Sequence, residues 1–288
     1  MKASLLLIGL LSAGVALAAP HEAKKTEGIE GKDYKWNAEG GEKMEALKKK
    51  GDKKNGEEVY ETCAACHLPS GAGRPDGTFP QLAGQHTTVL IKQMADIRAG
   101  LRDNPTMYPF AATLTDAQEL ADASAYIESL CIPIEHGKYD SKPGDNMDKN
   151  WKAPADTDKR LAEGKALYEK ECLECHGKNG EGVKEKFYPV LAGQHYKYLL
   201  RQMTEIRDGH RRNANPDMVK IIKKYNNEQL ISISTVSITA ARWPARAPGW
   251  PTRSSRRISP TTTSATTPSS TPRRTSTRVP KASIASMK

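Results

Sequence analysis

Two five-residue stretches hold the side chains best suited to chemistry. Residues 63–67 and 172–176 both read Cys-x-x-Cys-His, the attachment pattern of a c-type haem. The two thiols lie about one helical turn apart, so both can form thioether bonds with the haem vinyl groups. The histidine that follows offers a neutral imidazole nitrogen to the iron. The two motifs therefore predict two covalently attached c-type haems.

The second axial ligands of the two irons are predicted to be Met107 and Met218. A six-coordinate iron rearranges little during electron transfer, whereas an open iron binds oxygen or peroxide. Met107 follows His67 at almost the same separation along the chain as Met218 follows His176. Both follow an Arg-x-Asn step that we expect in a loop between helices. A neutral thioether favours Fe(II), so the potentials of both haems should be raised.

His86 and His195 are the alternative distal ligands, since c-type haems with two histidine ligands exist. Each lies much closer in sequence to its motif histidine than the methionines do, just before a predicted helix. Their favoured role, together with Gln85 and Gln194, is to hydrogen-bond backbone or propionate groups near the haem edge.

Pro80 and Pro189 follow the motif histidines His67 and His176 at identical separations. A carbonyl at this position could accept the histidine Nδ1–H and so fix the tautomer and the ring plane. The other interpretation is an ordinary turn residue, and the sequence leaves the two evenly balanced.

The haem motifs belong to a longer internal repeat. The offset that relates Cys63 to Cys172 also relates residues 79–86 to residues 188–195. It continues through several shorter matches: Gln93-Met94 and Gln202-Met203, Ile97-Arg98 and Ile206-Arg207, and Gly100 and Gly209. A duplicated domain of about 100 residues explains the pattern.

The periodicity within each repeat is helical, with no alternating strand pattern. Apolar residues recur at helical spacing along residues 90–101 and 199–206, which puts Met94 and Met203 in the core. A helix from about Glu42 to Thr62 should break near Gly51 or Gly56. Thr115 is expected to cap a later helix. We therefore predict an all-α fold of two tandem domains, each wrapped round one haem.

The domain boundaries follow from composition and from the repeat. The predicted segments are a signal peptide (1–19), a polar arm (20–40), a first haem domain (41–135), a linker (136–157), a second haem domain (158–231) and a tail (232–288). The signal peptide combines Lys2, a short apolar run and an Ala-x-Ala site, so we expect export to the periplasm and no transmembrane anchor after its removal. The remaining cysteine, Cys131, is expected to be a buried thiol, with an intermolecular disulfide as the alternative.

The net charge of +10 does not indicate nucleic-acid binding, because the excess lies in the tail. Residues 232–288 hold eight Arg, two Lys and no Asp or Glu, so residues 1–231 balance 34 basic against 34 acidic residues. A stretch of this length without acidic residues is unusual for a soluble domain. We interpret it as a shifted reading frame that leaves the last helix of the second domain incomplete. A genuine disordered Ser/Thr/Pro-rich tail is the alternative.

Residues 50–231 resemble the cytochrome c4 type of di-haem class I cytochrome c. The resemblance rests on the Cys-x-x-Cys-His motifs, the Pro-x-Leu-Ala-Gly-Gln-His stretch, the Gln-Met-x-x-Ile-Arg-x-Gly helix end and the Arg-x-Asn…Met loop. It implies two pseudo-symmetrically packed all-α domains, with the haem propionates near each other. It also implies one haem at Cys63, Cys66, His67 and Met107, and a second at Cys172, Cys175, His176 and Met218.

The resemblance implies a periplasmic carrier of single electrons. Its donor would be a quinol-oxidising complex or a dehydrogenase, and its acceptor an oxidase or reductase. An electron-accepting subunit of a dehydrogenase complex is the main alternative. A di-haem peroxidase is less favoured, because it needs one open haem and both repeats carry a methionine loop.

Overall fold

The computed structural model describes residues 26–114, 116–132 and 157–239, without the side chains of residues 157 and 237–239. The predicted signal peptide, most of the linker, the tail beyond residue 239 and Thr115 lie outside the described residues. Ten α-helices and one 3₁₀ turn occupy these ranges, with one isolated bridge between Val183 and Tyr188 as the sole β-pairing there. None of these helices is long and apolar enough to cross a membrane.

The first lobe (residues 41–132) holds five helices. They are α1 Gly41–Lys48, α2 Lys53–His67, α3 Thr87–Arg98, α4 Tyr108–Thr113 and α5 Ala117–Ser129. The predicted break in the first helical segment falls around Gly51, between α1 and α2, whereas Gly56 lies inside α2. α2 packs mainly on α5, and α3 packs on both α4 and α5.

The second lobe (residues 157–239) repeats this arrangement. Its helices are α6 Thr157–Glu171, α7 Leu173–His176, α8 Tyr196–Arg207, α9 Pro216–Ile222 and α10 Asn227–Thr239, with the 3₁₀ turn at Lys184–Lys186. α6 packs mainly on α10, as α2 does on α5. The predicted all-α fold with two tandem domains is confirmed.

The haem motif is held differently in the two lobes. α2 runs unbroken to His67, whereas the corresponding helix of the second lobe is interrupted at Cys172 and resumes as α7. Tyr60 precedes Cys63 by three residues, but Tyr168 precedes Cys172 by four. One extra residue therefore puts the second motif out of register with its helix. Both tyrosine hydroxyls still donate to the carbonyl after the motif histidine, at 2.9 and 2.8 Å.

The last helix of the second lobe was predicted to be incomplete after residue 231, and the structure carries it to Thr239. Leu230, Ile233 and Val236 form its buried apolar face. Its fully buried hydroxyls donate to carbonyls one turn earlier along the same helix: Ser232 to Glu228, Ser234 to Leu230 and Thr235 to Ile231. The hydroxyl-rich sequence is thus accommodated, because each buried hydroxyl has an acceptor one turn earlier in its own helix, and that of Ser232 also has the Glu163 carboxylate of α6 at 2.8 Å.

Two local predictions at the ends of α5 are wrong. The helix is capped by Asp116, whose carboxylate accepts from the backbone N–H groups of Gln118 and Glu119. Cys131 is exposed, not buried. Because α5 ends at Ser129 and the chain continues extended, the helical periodicity that grouped Cys131 with Ile127 no longer applies.

The arm, residues 26–40, packs against both lobes. The backbone N–H of Thr26 donates to Gly100 in the first lobe, and that of Ile29 donates to Arg212 in the second. The Trp36 ring stacks on Tyr188, with 6.1 Å between ring centroids. This part of the arm therefore joins the lobes.

Candidate haem sites

One cavity of about 940 Å³ extends through both lobes and is lined by all eight predicted site residues. These are Cys63, Cys66, His67, Met107, Cys172, Cys175, His176 and Met218. Apolar side chains of α3, α5 and α8 complete much of its wall, including Leu90, Ile127 and Leu199. A mostly apolar cavity with thiol, imidazole and thioether groups in its lining fits the binding of haem.

The two motif histidines are held by a matching backbone contact. His67 Nδ1 lies 2.9 Å from the Pro80 carbonyl oxygen, and His176 Nδ1 lies 3.2 Å from that of Pro189. A proton on Nδ1 donated to this oxygen leaves the lone pair of Nε2 available for a metal. Burial lowers the pKa of both imidazoles, and the carbonyl contact only partly opposes this. Both histidines are therefore kept in the neutral form that a metal binds.

The motif cysteines lie beside these histidines in the cavity wall. Burial raises the pKa of the Cys63 thiol, and it raises that of Cys172 to about 12. Both groups therefore stay protonated at neutral pH. Protonated thiols are poor metal ligands, because the thiolate is the form that binds a metal.

Met107 and Met218 line the cavity from the starts of corresponding helices, Met107 immediately before α4 and Met218 inside α9. The backbone N–H of Met107 donates to the Asn104 side chain at 3.1 Å just before α4. In the second lobe Asn215 caps α9, which carries Met218 in its first turn. Met94 and Met203 also border the cavity but pack against the cores of their lobes, as predicted.

His86 and His195 do not line the cavity. His86 Nε2 lies 2.8 Å from the Glu181 carbonyl oxygen, and His195 Nε2 lies 2.7 Å from that of Ala72. Each histidine thus contacts the backbone of the opposite lobe. This arrangement agrees with their predicted hydrogen-bonding role and not with a role as distal ligands.

Two arginines form a polar part of the cavity wall that the sequence analysis missed. Arg102 and Arg211 each donate to the side-chain oxygens of both Gln93 and Gln202, at 2.9 to 3.1 Å. Burial and the nearby Arg102 lower the pKa of Arg211 to about 10, so it stays charged at neutral pH. Both guanidinium groups bond neutral amides here, so this wall suits the carboxylates of haem propionates. The available signal was that the two arginines occupy equivalent positions in the internal repeat.

Two helical lobes of one design, each with a haem-attachment motif in a shared cavity, define a di-haem c-type cytochrome. The family model for cytochrome c matches residues 53–131 and 161–231. Cytochrome c4 of Azotobacter vinelandii is 33% identical over 199 residues, which cover 64% of this chain and 87% of that protein. The chain therefore belongs to the cytochrome c family, as a di-haem member of the cytochrome c4 type with two covalently bound haems.

Two further similarities concern solved structures and another kind of cytochrome. The structure of reduced cytochrome c4 from Pseudomonas stutzeri matches with a TM-score of 0.52 and 28% identity, covering 65% of this chain and 97% of that one. A thiosulfate dehydrogenase electron acceptor of Stutzerimonas stutzeri is 32% identical over 157 residues, covering 54% of this chain and 68% of that protein. The similar proteins are thus electron-transfer cytochromes.

Proposed function

We propose that this di-haem electron carrier shuttles single electrons between respiratory proteins in the periplasm and turns over no substrate of its own. One haem is held by Cys63, Cys66, His67 and Met107, and the other by the equivalent residues of the second lobe. The observation that carries this proposal is the matched set of thiol, imidazole and thioether groups in the two halves of one cavity. Bound there, each haem supplies a one-electron Fe(III)/Fe(II) couple.

The protein residues contribute fixed ligands and a dry environment. The carbonyls of Pro80 and Pro189 orient the proximal imidazoles, so the ligand geometry can stay the same in both oxidation states. Met107 and Met218, which line the cavity, would each give an iron a second ligand and so leave no open position for oxygen or peroxide. These features support a carrier over a di-haem peroxidase, which needs one open haem.

A second candidate function is that of the electron-accepting cytochrome of a dehydrogenase. Two similar proteins, from Stutzerimonas stutzeri and Thiomonas intermedia, are named thiosulfate dehydrogenase electron acceptors. A free shuttle should exchange electrons with several partners, whereas a dedicated acceptor should co-purify with its dehydrogenase. Affinity purification of the exported chain from its own cells distinguishes the two.

The optical spectrum of the full exported chain tests the ligand assignment. We expect two haems per chain by pyridine haemochrome and the weak long-wavelength band of sulfur bound to Fe(III). Met107→Leu and Met218→Leu should each remove about half of that band, whereas the control Met94→Leu should leave it unchanged. A high-spin component in the unaltered protein, with cyanide binding or peroxide turnover, would overturn the proposal in favour of the peroxidase.

A further inference from the structure

Two glutamines form reciprocal hydrogen bonds across the interface between the lobes. Gln85 donates through Nε2 to the Val190 carbonyl at 3.1 Å and accepts at Oε1 from the Val190 N–H at 2.9 Å. Gln194 donates to the Gln81 carbonyl at 2.9 Å and accepts from the Gln81 N–H at 3.0 Å. Gln85 is equivalent to Gln194 in the internal repeat, and Gln81 to Val190, so the contacts obey the pseudo-two-fold relation of the lobes.

The peptide groups that these glutamines bind also bind the motif histidines. The Pro80 carbonyl and the Gln81 N–H belong to one peptide group, which accepts from His67 Nδ1 and donates to Gln194. The Pro189 carbonyl and the Val190 N–H form the equivalent group, which links His176 to Gln85. Each proximal histidine is therefore connected through one peptide group to a glutamine of the opposite lobe.

A peptide group that donates through its N–H becomes more polarised, and its oxygen becomes a stronger acceptor. A stronger bond to the carbonyl gives the imidazole more electron density to share with the iron, which stabilises Fe(III) and lowers the potential. We propose that Gln194 tunes the potential of the haem at His67, and that Gln85 tunes the potential of the haem at His176. This inference rests on the proposed function, since it takes both histidines as axial ligands.

Other contacts also hold the lobes together. The effect of the glutamines on the haem potentials can therefore be tested without separating the lobes. Thr88 Oγ1 donates to the Lys184 carbonyl at 2.6 Å, and His86 contacts the Glu181 carbonyl. Neither contact involves the peptide group of Gln81 or Val190. Gln85 and Gln194 therefore act as positioning residues for the redox function, and the docked state of one lobe sets the potential of the other.

Replacing either glutamine by leucine keeps the size of the side chain and removes the acceptor. Gln194→Leu should raise the potential of the haem in the first lobe, and Gln85→Leu that of the haem in the second. In half-reduced protein, each change should shift the electron distribution about threefold toward the affected haem, about 28 mV at 59 mV per tenfold change. Thr88→Val removes a cross-lobe bond elsewhere and serves as the matched control.

The measurement is a redox titration of the full chain followed haem by haem by proton NMR. In the reduced protein, the Nδ1–H signal of His67 should move upfield in Gln194→Leu, while that of His176 stays in place. Equal shifts of both haems, shifts confined to the haem in the glutamine's own lobe, or unchanged potentials would each overturn the inference. If one variant does not fold, the reciprocal one tests the same rule. Absence of the sulfur–iron band in the unaltered protein would instead reject the proposed ligands.

Discussion

The two lobes share one backbone contact but secure it with different side chains. Where α2 crosses α5, a Cβ atom added to Gly56 would lie 2.0 Å from the Asp122 carbonyl oxygen. Where α6 crosses α10, a Cβ atom added to Gly164 would lie 2.0 Å from that of Ser232. The close approach of the two helices is thus common to both lobes, and it allows only glycine.

The side chains around this crossing form more interactions in the first lobe than in the second. Asp122 accepts from the Asp52 N–H, the Asn55 amide and the Gln118 amide, each at 2.7 Å. The rings of Tyr60 and Tyr126 pack with 5.5 Å between their centroids.

In the second lobe, Ser232 bonds Glu163 at 2.8 Å and the carbonyl of Glu228 within its own helix. Val236 lies against Gly164 as Tyr126 lies against Gly56, so the two residues take corresponding places at the crossing. After the duplication, both lobes therefore retained the close approach of the two helix backbones, whereas the side-chain interactions around it diverged. We expect the second lobe to be the less stable of the two.

The largest effect should come from filling either helix crossing. Gly56→Ala and Gly164→Ala each gain about 1 kcal/mol of helix propensity, but the added methyl forces two backbones apart. We expect a net loss of about 3 kcal/mol in the free energy of unfolding of the altered lobe, at the upper end of overpacking effects. Denaturant titration followed at each haem measures it. Glu58→Ala, at an exposed position of α2, is the control and should change little.

Equal unfolding midpoints for the two lobes in the unaltered protein would contradict the expectation that the second lobe is less stable. So would a Gly164→Ala variant that retains the haem environment of its lobe, because the contact would then be less restrictive than 2.0 Å implies.

The parts of the site that could be predicted from the sequence are those where the residue type and its spacing along the chain determine its role. Cys-x-x-Cys-His places two thiols and an imidazole at a fixed spacing. For Pro80 and Pro189 the sequence left a histidine contact and an ordinary turn evenly balanced, and the structure shows the contact in both lobes. The break between α1 and α2 near Gly51 could be predicted because glycine destabilises a helix interior.

The parts that the sequence did not predict depend on contacts between the lobes or on local competition. The sequence does not show that Arg102 and Arg211 meet at the junction, because that contact exists only when the lobes dock. Asp116, and not Thr115, is the N-cap of α5. The Ser and Thr residues of α10 fit inside the helix because their hydroxyls donate to its own carbonyls. A shifted reading frame after residue 231 stays a prediction, and re-sequencing the gene tests it.

A smaller loss of stability is expected from Asp122→Ser, which gives the first lobe the residue type that Ser232 provides at the crossing of the second. Asp122→Ser removes hydrogen bonds to a charged group, so the first lobe should lose about 2 kcal/mol at pH 7. Burial would raise the pKa of Asp122, but bonds from the Asp52 N–H, Asn55 and Gln118 outweigh it and hold that pKa below its ordinary value.

A carboxylate with a lowered pKa stabilises the fold above its ordinary pKa of about 3.9, and this contribution is lost as the pH falls through the lowered value. Unfolding titrations of both proteins between pH 7 and pH 2 should therefore converge at the acidic end. A constant difference across this range would mean that the charge of Asp122 does not stabilise the first lobe.

The smallest effect is expected from the aromatic pair. Tyr126→Val gives the first lobe the residue found at the corresponding position of the second, and removes the ring that packs on Tyr60. Aromatic pairs contribute about 1 kcal/mol beyond the area they bury, so we expect the first lobe to lose about that much or slightly more. The unfolding midpoint of the first lobe should move toward that of the second, whose own midpoint stays fixed. If Tyr126→Val leaves the first lobe unchanged, the stability difference between the lobes rests on Asp122 and its three donors alone.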